Sequence, residues 1–318
     1  MELLIFLPHP EPVRSAYERQ LAPRFPQVAF RTVGDLEVAR QAVADADIFL
    51  TFGSLLDPPF FAQARRLRWV HALGTGTDGI TDSKHLPADV IVTSTRGIHG
   101  AVMSELGFLL MLALSRQFPR TIRNQDGGRW ERWPARLLDG KTVGILGVGL
   151  IARDLAPRCK AFGMQVIGIS RASDDVPGFD RIVPRDELVS IARELDFLLV
   201  LVPLDEHTRG LVGAEVMSAL PSSSYLINLA RGGIVDEAAL CAALDTGGIA
   251  GAALDAMERE PLPPESPLWR QKNLIITPHV GGFYDTYPAQ AVVQIAANLT
   301  RFLAGQPDEM LNVVSRAR

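Results

Sequence analysis

Cysteine is nearly absent from this chain of 318 residues. Its two cysteines, Cys159 and Cys241, lie far apart, each inside an apolar, helix-like stretch. Such a pair is neither a disulfide framework nor a metal-ligand spacing, so a disulfide scaffold and a metal module are excluded and a reducing cytoplasm is the expected compartment. A charge excess is missing too. With a formal net charge of −4 and 21% charged residues, the chain offers no basic field to nucleic acid or to an anionic bilayer, so neither is an expected partner. Long apolar runs are also lacking: the longest, Leu106 to Leu114, is too short to span a bilayer. The apolar opening MELLIFLPHP has no basic segment ahead of it and is cut off at Pro8, which predicts a first β-strand rather than a secretion signal. Internal repeats and low-complexity linkers are absent as well.

What is present is ordinary globular composition, 47% hydrophobic, in a chain long enough for two domains with substantial cores. Short β-branched runs alternate with helical patterns: LLIF, VAFRTV, DIFLT, RWVHAL and VIVTST predict a parallel α/β unit of about five strands. From Gly140 the rhythm restarts with KTVGIL, MQVIGI, FLLVLV, SYLINL, IAGAAL and NLIITP, six strands that suggest a doubly wound sheet. Between the units, Glu105 to Gln117 reads as a long apolar helix, followed by an Arg- and Trp-rich arm at about 118–140. The late segment AQAVVQIAANLTRFLAG is one amphipathic helix that could return to the first domain. The expected architecture is a Rossmann-type doubly wound domain, 99–284, plus a smaller flavodoxin-like α/β domain made of 1–98 together with 285–318.

Gly147-Val148-Gly149-Leu150-Ile151-Ala152 directly follows the strand TVGIL and opens a helix, the context that gives a GxGxxG/A match its meaning. Gly147 permits the tight turn, and Gly149 lets the backbone approach a pyrophosphate. The helix N-terminus, with the amides of Leu150 and Ile151, offers N–H groups and a positive dipole end to that anion. The next strand ends in Ser170 and Arg171 rather than in the carboxylate that an NAD-specific site uses on the ribose 2′-hydroxyl. Serine can hydrogen-bond a 2′-phosphate and arginine can pair with it bidentately, so NADPH is the expected cofactor, with NADH possible.

Ligands of open α/β sheets sit outside the carboxyl ends of the strands. Arg231 follows SYLINL, Glu260 follows IAGAAL by a short loop, and His279 follows NLIITP, which puts a cation, a carboxylate and an imidazole on one rim. Reducing a carbonyl by hydride calls for such a set, an acid to protonate the oxygen and a fixed cation to hold the substrate. The segments LINLARGGIVDEAAL, ALDAMEREPLP and ITPHVGG resemble motifs of the D-isomer-specific 2-hydroxyacid dehydrogenase family. LRWVHALGTGTD, LLDGKTVGILGVGLIA and LVPLDEHTRGLV extend the resemblance over nearly the whole chain.

The resemblance implies that Arg231 binds and polarises the oxo acid, and that His279, paired with Glu260, donates the proton. It implies that Leu73, Gly74, Thr75 and Gly76 bind the substrate carboxylate through backbone N–H groups, and that the two domains close over it. Val202, Pro203, Thr208 and Ala230 match segments lining the cofactor, Asp255 matches a position that contacts the nicotinamide carboxamide, and His279 lies beside the same ring. A homodimer built on the arm is implied as well, and Trp130 and Trp133 could reach a partner's site or only pack the interface. No metal is expected. Ser170-Arg171 and GIHGAVMSE look more like the glyoxylate and hydroxypyruvate reductase branch, with Val102 standing where a proline is common; no C-terminal regulatory extension is expected. The alternatives are a phosphite- or formate-type dehydrogenase and a nucleotide-sensing corepressor of the same fold. His9, His71, His85, His99 and His207 show no ligand spacing and are expected in the core or on the surface.

Overall fold

The computed structural model describes residues 1–171 and 175–314, and the chain divides into two compact units, Met1–Ile98 with the segment from Tyr284 onward, and His99–Phe283. In the first unit five parallel strands, β1 (Glu2–Phe6), β2 (Ala29–Val33), β3 (Ile48–Thr51), β4 (Trp69–Ala72) and β5 (Ile91–Ser94), form a sheet of order β2-β1-β3-β4-β5. That is the flavodoxin-like order. Side chains of a strand alternate between faces, and the core follows that alternation. Leu3, Ile5, Ile48, Leu50 and Trp69 lie on one face, and Leu4, Phe6, Phe49, Val70 and Val92 lie on the other. The first face is covered by the helix Tyr287–Leu303, whose Ala291, Ile295, Leu299 and Phe302 make a buried stripe. A period of three to four residues in apolar positions built that stripe into the sequence.

In the second unit seven parallel strands, β6 (Thr142–Leu146), β7 (Gln165–Ser170), β8 (Arg181–Pro184), β9 (Phe197–Val200), β10 (Tyr225–Asn228), β11 (Gly251–Leu254) and β12 (Leu274–Ile276), take the order β12-β11-β10-β9-β6-β7-β8. The order reverses between β6 and β9, the switch point of a doubly wound sheet. The sequence pattern anticipates six of these strands and misses β8. That strand, RIVP, sits at the sheet edge, is buried only at Val183 and ends in proline, so it carries neither a continuous apolar run nor alternation.

The long apolar helix begins at Gly100 and ends at Ser115, earlier at both ends than the expected Glu105 to Gln117. Its first residue packs against the helix Leu150–Ala161, where a Cβ on Gly100 would collide with the Asp154 carboxylate. Gln117 adopts a left-handed conformation that breaks the helix, and a second one runs from Phe118 to Asp126. Among the described residues no single helix is long and apolar enough to cross a membrane; this helix pair passes only as a broken span bent by 66°. Cys159 and Cys241 are both free thiols.

His71, on β4, is fully buried, and burial lowers its pKa from 6.5 to about 3. Below pH 6.5 the unfolded chain takes up a proton there that the native state refuses, so stability falls as pH falls until about pH 3. This one group is expected to remove about 1.4 kcal/mol of stability per pH unit inside that window. Denaturant midpoints measured across pH should show a shallower acid slope for His71→Gln than for the parent chain; equal slopes would contradict the neutral imidazole.

Candidate functional site

Gly147 follows β6 with φ of +106°, a conformation that side-chain-bearing residues rarely adopt, and a Cβ there would stand 2.9 Å from the Val202 nitrogen. Its close neighbour is thus the chain leaving β9, across the point where the sheet order reverses. Gly149 differs. Its φ is −92°, and nothing lies within 4 Å of where its Cβ would be, so the backbone faces open space at the start of the helix Leu150–Ala161. No side chain caps that helix, which leaves its first amides and the positive dipole end to an outside anion.

The other residues expected along this crevice are placed as follows. Ser170 closes β7 and Arg171 beyond it is exposed. Val202 is buried, Pro203 is exposed, and the Thr208 hydroxyl is spent inside its own loop, donating to the Pro203 carbonyl at 2.7 Å and accepting from the Asp205 N–H at 2.7 Å. Ala230 is buried, its N–H donating to Asn228 Oδ1 at 3.0 Å.

Arg231, Glu260 and His279 follow the ends of β10, β11 and β12, three strands adjacent in the sheet. Buried Asn228 organises the first loop by donating to the Arg231 carbonyl at 2.9 Å. Gly232 lets that loop lie against the next, since a Cβ there would sit 1.9 Å from the Met257 carbonyl oxygen. The Arg231 guanidinium donates to the Ala230 carbonyl at 2.8 Å. Glu260 Oε1 accepts from the Met257 N–H at 2.9 Å, and Oε2 lies 2.7 Å from His279 Nδ1. The two side chains keep 30% and 37% of their surface exposed, so the pair is open to a ligand. Burial by itself would raise the Glu260 pKa; hydrogen bonds from His279 and the Met257 amide, with the charges of His279 and Arg231, outweigh burial and hold the carboxyl below its ordinary value.

His279 has φ of +52°, a left-handed conformation that is uncommon for a residue with a side chain. Asp255 keeps the turn in that shape. One carboxylate oxygen accepts from the Thr277 hydroxyl at 2.6 Å and the Val280 N–H at 3.0 Å, and the other from the Gly281 N–H at 2.9 Å. Asp255 is 2% exposed, and both its oxygens serve this turn. His99 is one of the histidines expected in the core or on the surface. It is buried at the head of the Gly100–Ser115 helix, where a Cβ on Gly282 would meet its ring at 3.3 Å; burial first and the Arg231 charge second lower its pKa. Nothing in its spacing separates it from a core histidine, because the contact joins residues far apart in sequence.

The loop Leu73–Gly76 belongs to the first unit. Leu73 is buried, its N–H donating to the Thr51 carbonyl at 2.8 Å, and Gly74 lies over the Phe52 ring. Thr75 is exposed at the tip, its hydroxyl 3.3 Å from the Thr95 carbonyl. In the arm, Trp133 donates to the Arg116 carbonyl at 3.2 Å under the Arg120 guanidinium, whereas Trp130 is 93% exposed. Among the described residues no three His, Cys, Asp or Glu side chains gather as a metal site.

The sequence profile described as D-isomer specific 2-hydroxyacid dehydrogenase, NAD binding domain, matches residues 108–281. The chain belongs to this dehydrogenase family. It is 34% identical over 269 residues to glyoxylate/hydroxypyruvate reductase A of Salmonella newport (strain SL254), covering 82% of this chain and 84% of that one. Among solved structures it is similar to a D-isomer specific 2-hydroxyacid dehydrogenase family protein of Aeromonas salmonicida, with TM-score 0.88, 32% identity and 99% of each chain covered. It is also similar to the NADPH-dependent glyoxylate/hydroxypyruvate reductase of Sinorhizobium meliloti, solved with NADP and sulfate, with TM-score 0.83, 28% identity, and 99% and 98% covered. A D-isomer specific 2-hydroxyacid dehydrogenase of Xanthobacter autotrophicus Py2, solved with NADPH and MES, gives TM-score 0.80 at 31% identity, again over 99% and 98%.

The glycine turn lies within the matched NAD binding domain, and its geometry fits a dinucleotide, because the space before Gly149 is open and the helix start is uncapped. The two glycines should therefore separate on substitution. Gly149→Ala is expected to leave stability within about 0.5 kcal/mol while weakening dinucleotide binding about tenfold or more. Gly147→Ala is expected to destabilise the fold by roughly 1–3 kcal/mol through its backbone conformation and the clash at Val202. Thermal unfolding with and without cofactor reads both effects; unchanged cofactor affinity in Gly149→Ala would exclude this turn as the binding element.

Proposed function

We propose that this dehydrogenase uses NADPH to reduce a small 2-oxo acid of the glyoxylate or hydroxypyruvate class to the D-2-hydroxy acid. The observation that carries the reading is the Glu260 carboxylate set 2.7 Å from His279 Nδ1, on the same sheet rim as the Arg231 loop. With Nδ1 paired to the carboxylate, Nε2 is the ring nitrogen that can hand a proton outward. When bound, the reduced nicotinamide supplies a hydride to the carbonyl carbon. His279 Nε2 donates its proton to the carbonyl oxygen, so one hydride and one proton complete the alcohol. Glu260 then stabilises the cationic form of the imidazole before that transfer, and Arg231 pairs with the substrate carboxylate and draws charge from the carbonyl. Asp255 acts here through the His279 turn, holding the backbone that aims the ring. Gly147, Gly149, Leu150 and Ile151 are assigned to the pyrophosphate, Ser170 and Arg171 to the 2′-phosphate, and Val202, Pro203, Thr208 and Ala230 to the crevice lining. Leu73, Gly74, Thr75 and Gly76 are assigned to the substrate carboxylate.

The NADPH preference is supported by Ser170-Arg171 at the end of β7 and by the relatives described with NADP or NADPH. The substrate class is supported by the Salmonella and Sinorhizobium reductases. Following NADPH absorbance against glyoxylate, hydroxypyruvate, pyruvate and bulkier 2-oxo acids is the test. Turnover is expected for the smallest acids, with kcat/KM for NADPH well above that for NADH; tight NADPH binding without turnover on any acid would replace the enzyme by a nucleotide-sensing protein. His279→Ala should lower kcat by about two to four orders of magnitude while still binding NADPH. Arg231→Ala should raise KM for the oxo acid as well as lower kcat. Glu260→Gln should lower kcat while leaving NADPH affinity close to the parent value, because the His279 ring loses the carboxylate that holds its Nδ1 side.

A homodimer built on the arm is part of the same reading, since Trp130, Leu137 and Phe118 leave large apolar side chains in solvent. Sedimentation should give twice the chain mass, and Leu137→Asp should shift it toward the monomer.

A further inference from the structure

A line of buried polar side chains runs beneath the Leu73–Gly76 loop, inside the first unit. Trp69, His71 and Leu73 are alternate residues along β4 and its exit, and Thr93 and Thr95 are alternate residues along β5 and its exit. All five therefore share one face of the sheet. Trp69 Nε1 donates to Thr93 Oγ1 at 2.8 Å, Thr93 Oγ1 lies 2.8 Å from His71 Nδ1, and His71 Nε2 lies 2.9 Å from Thr95 Oγ1. Thr95 is hydrogen-bonded in turn to Tyr287, the first residue of the covering helix, and the Tyr287 hydroxyl donates to the Leu73 carbonyl. None of these six residues is more than 2% exposed.

Proton counting fixes the direction of every bond. The line starts at an indole N–H, which can only donate, and ends at a carbonyl, which can only accept. Trp69, Thr93, a neutral His71, Thr95 and Tyr287 each carry one proton, and the line has five links. Each link is satisfied once only if His71 is the neutral Nε2–H tautomer, receiving from the Thr93 hydroxyl and donating to Thr95. A protonated imidazole would bring one proton too many, and a hydroxyl would lose its acceptor. Burial already keeps this imidazole neutral, with its pKa at about 3.

Such a line is costly to bury and adds little stability over an apolar core of the same shape. What it does achieve is geometric, because it ends on the carbonyl of Leu73, and the Thr75 hydroxyl returns to the Thr95 carbonyl at 3.3 Å. The loop is thus held on both sides of Gly74, by the end of the line at the Leu73 carbonyl and by the Thr95 backbone at the Thr75 hydroxyl. We propose that Trp69, Thr93, His71, Thr95 and Tyr287 form a one-directional hydrogen-bond chain that sets the peptide orientations of Leu73–Gly76, making His71, Thr95 and Tyr287 positioning residues for the oxo-acid carboxylate. This rests on the reading of that loop as the carboxylate-binding element.

The test compares the parent protein with Tyr287→Phe and Thr95→Val, which remove a single hydroxyl at little change of volume, and with Thr95→Ser, which keeps the hydroxyl and removes only a methyl. Tyr287→Phe and Thr95→Val are expected to raise KM for the oxo acid about tenfold, with KM for NADPH within about twofold of the parent, and to speed amide hydrogen exchange at Gly74–Gly76 about tenfold. Thr95→Ser restores the hydroxyl and should restore both readouts. In the parent chain, 15N shifts of the His71 ring should report the Nε2–H tautomer. A lower melting temperature with unchanged oxo-acid KM and unchanged loop exchange would overturn the proposal, as would the Nδ1–H tautomer. If the parent turns over no oxo acid, the proposed function fails by itself, and the exchange arm still decides the chain: unaltered exchange in Thr95→Val overturns it.

Discussion

A carboxylate 2.7 Å from an imidazole nitrogen decides what that imidazole can do, and the arrangement of Glu260 and His279 depends on the sheet that carries them. Neither residue is near the other in sequence. They meet because β11 and β12 are neighbouring parallel strands, so the loops leaving both emerge from one edge of the sheet. The left-handed backbone at His279 and the three donors gathered by Asp255 complete the placement. A buried carboxylate that satisfies two amides and a hydroxyl is a stiff support for a turn whose His279 side chain stays exposed.

The second unit applies the same logic to its phosphate-binding candidate. Gly147 is demanded by its conformation and by the Val202 backbone, Gly149 by the open space before it. Two glycines in one motif thus answer to different constraints, one internal to the fold and one directed at a ligand. In the first unit the contrast is between the apolar face of β1 and β3, packed by the helix Tyr287–Leu303, and the polar line threaded through the same cluster from Trp69 to Leu73. Apolar burial supplies cohesion there, whereas the directed bonds specify which way the loop's peptides turn.

Much of this was readable in advance. Strands with continuous apolar runs, such as FLLV and YLIN, announced themselves, as did the glycine turn behind TVGIL and the motifs that mark the family. The contacts and edges that contiguous residues do not display share one property. The β8 segment is a half-exposed edge, Gly100 at the head of its helix lies against the Asp154 side chain, and the Thr208 hydroxyl is consumed by its own loop. His99 lies against Gly282, and His71 joins Thr93 to Thr95. Each depends on a neighbour distant in sequence or on a local closure that no periodicity records.

The order of apolar and polar residues by itself determined two parallel α/β layers, a dinucleotide turn and membership of a dehydrogenase family, because strand period, turn chemistry and long motifs are properties of contiguous residues. Tertiary structure alone decided that Glu260 takes the Nδ1 side of His279, that Asp255 turns its carboxylate to the 277–281 backbone, and that a buried histidine reaches the Leu73 carbonyl through two hydroxyls. Hydrogen bonds are directional and reach about 3 Å, so which groups share one is known only when the sheets have brought distant strands side by side.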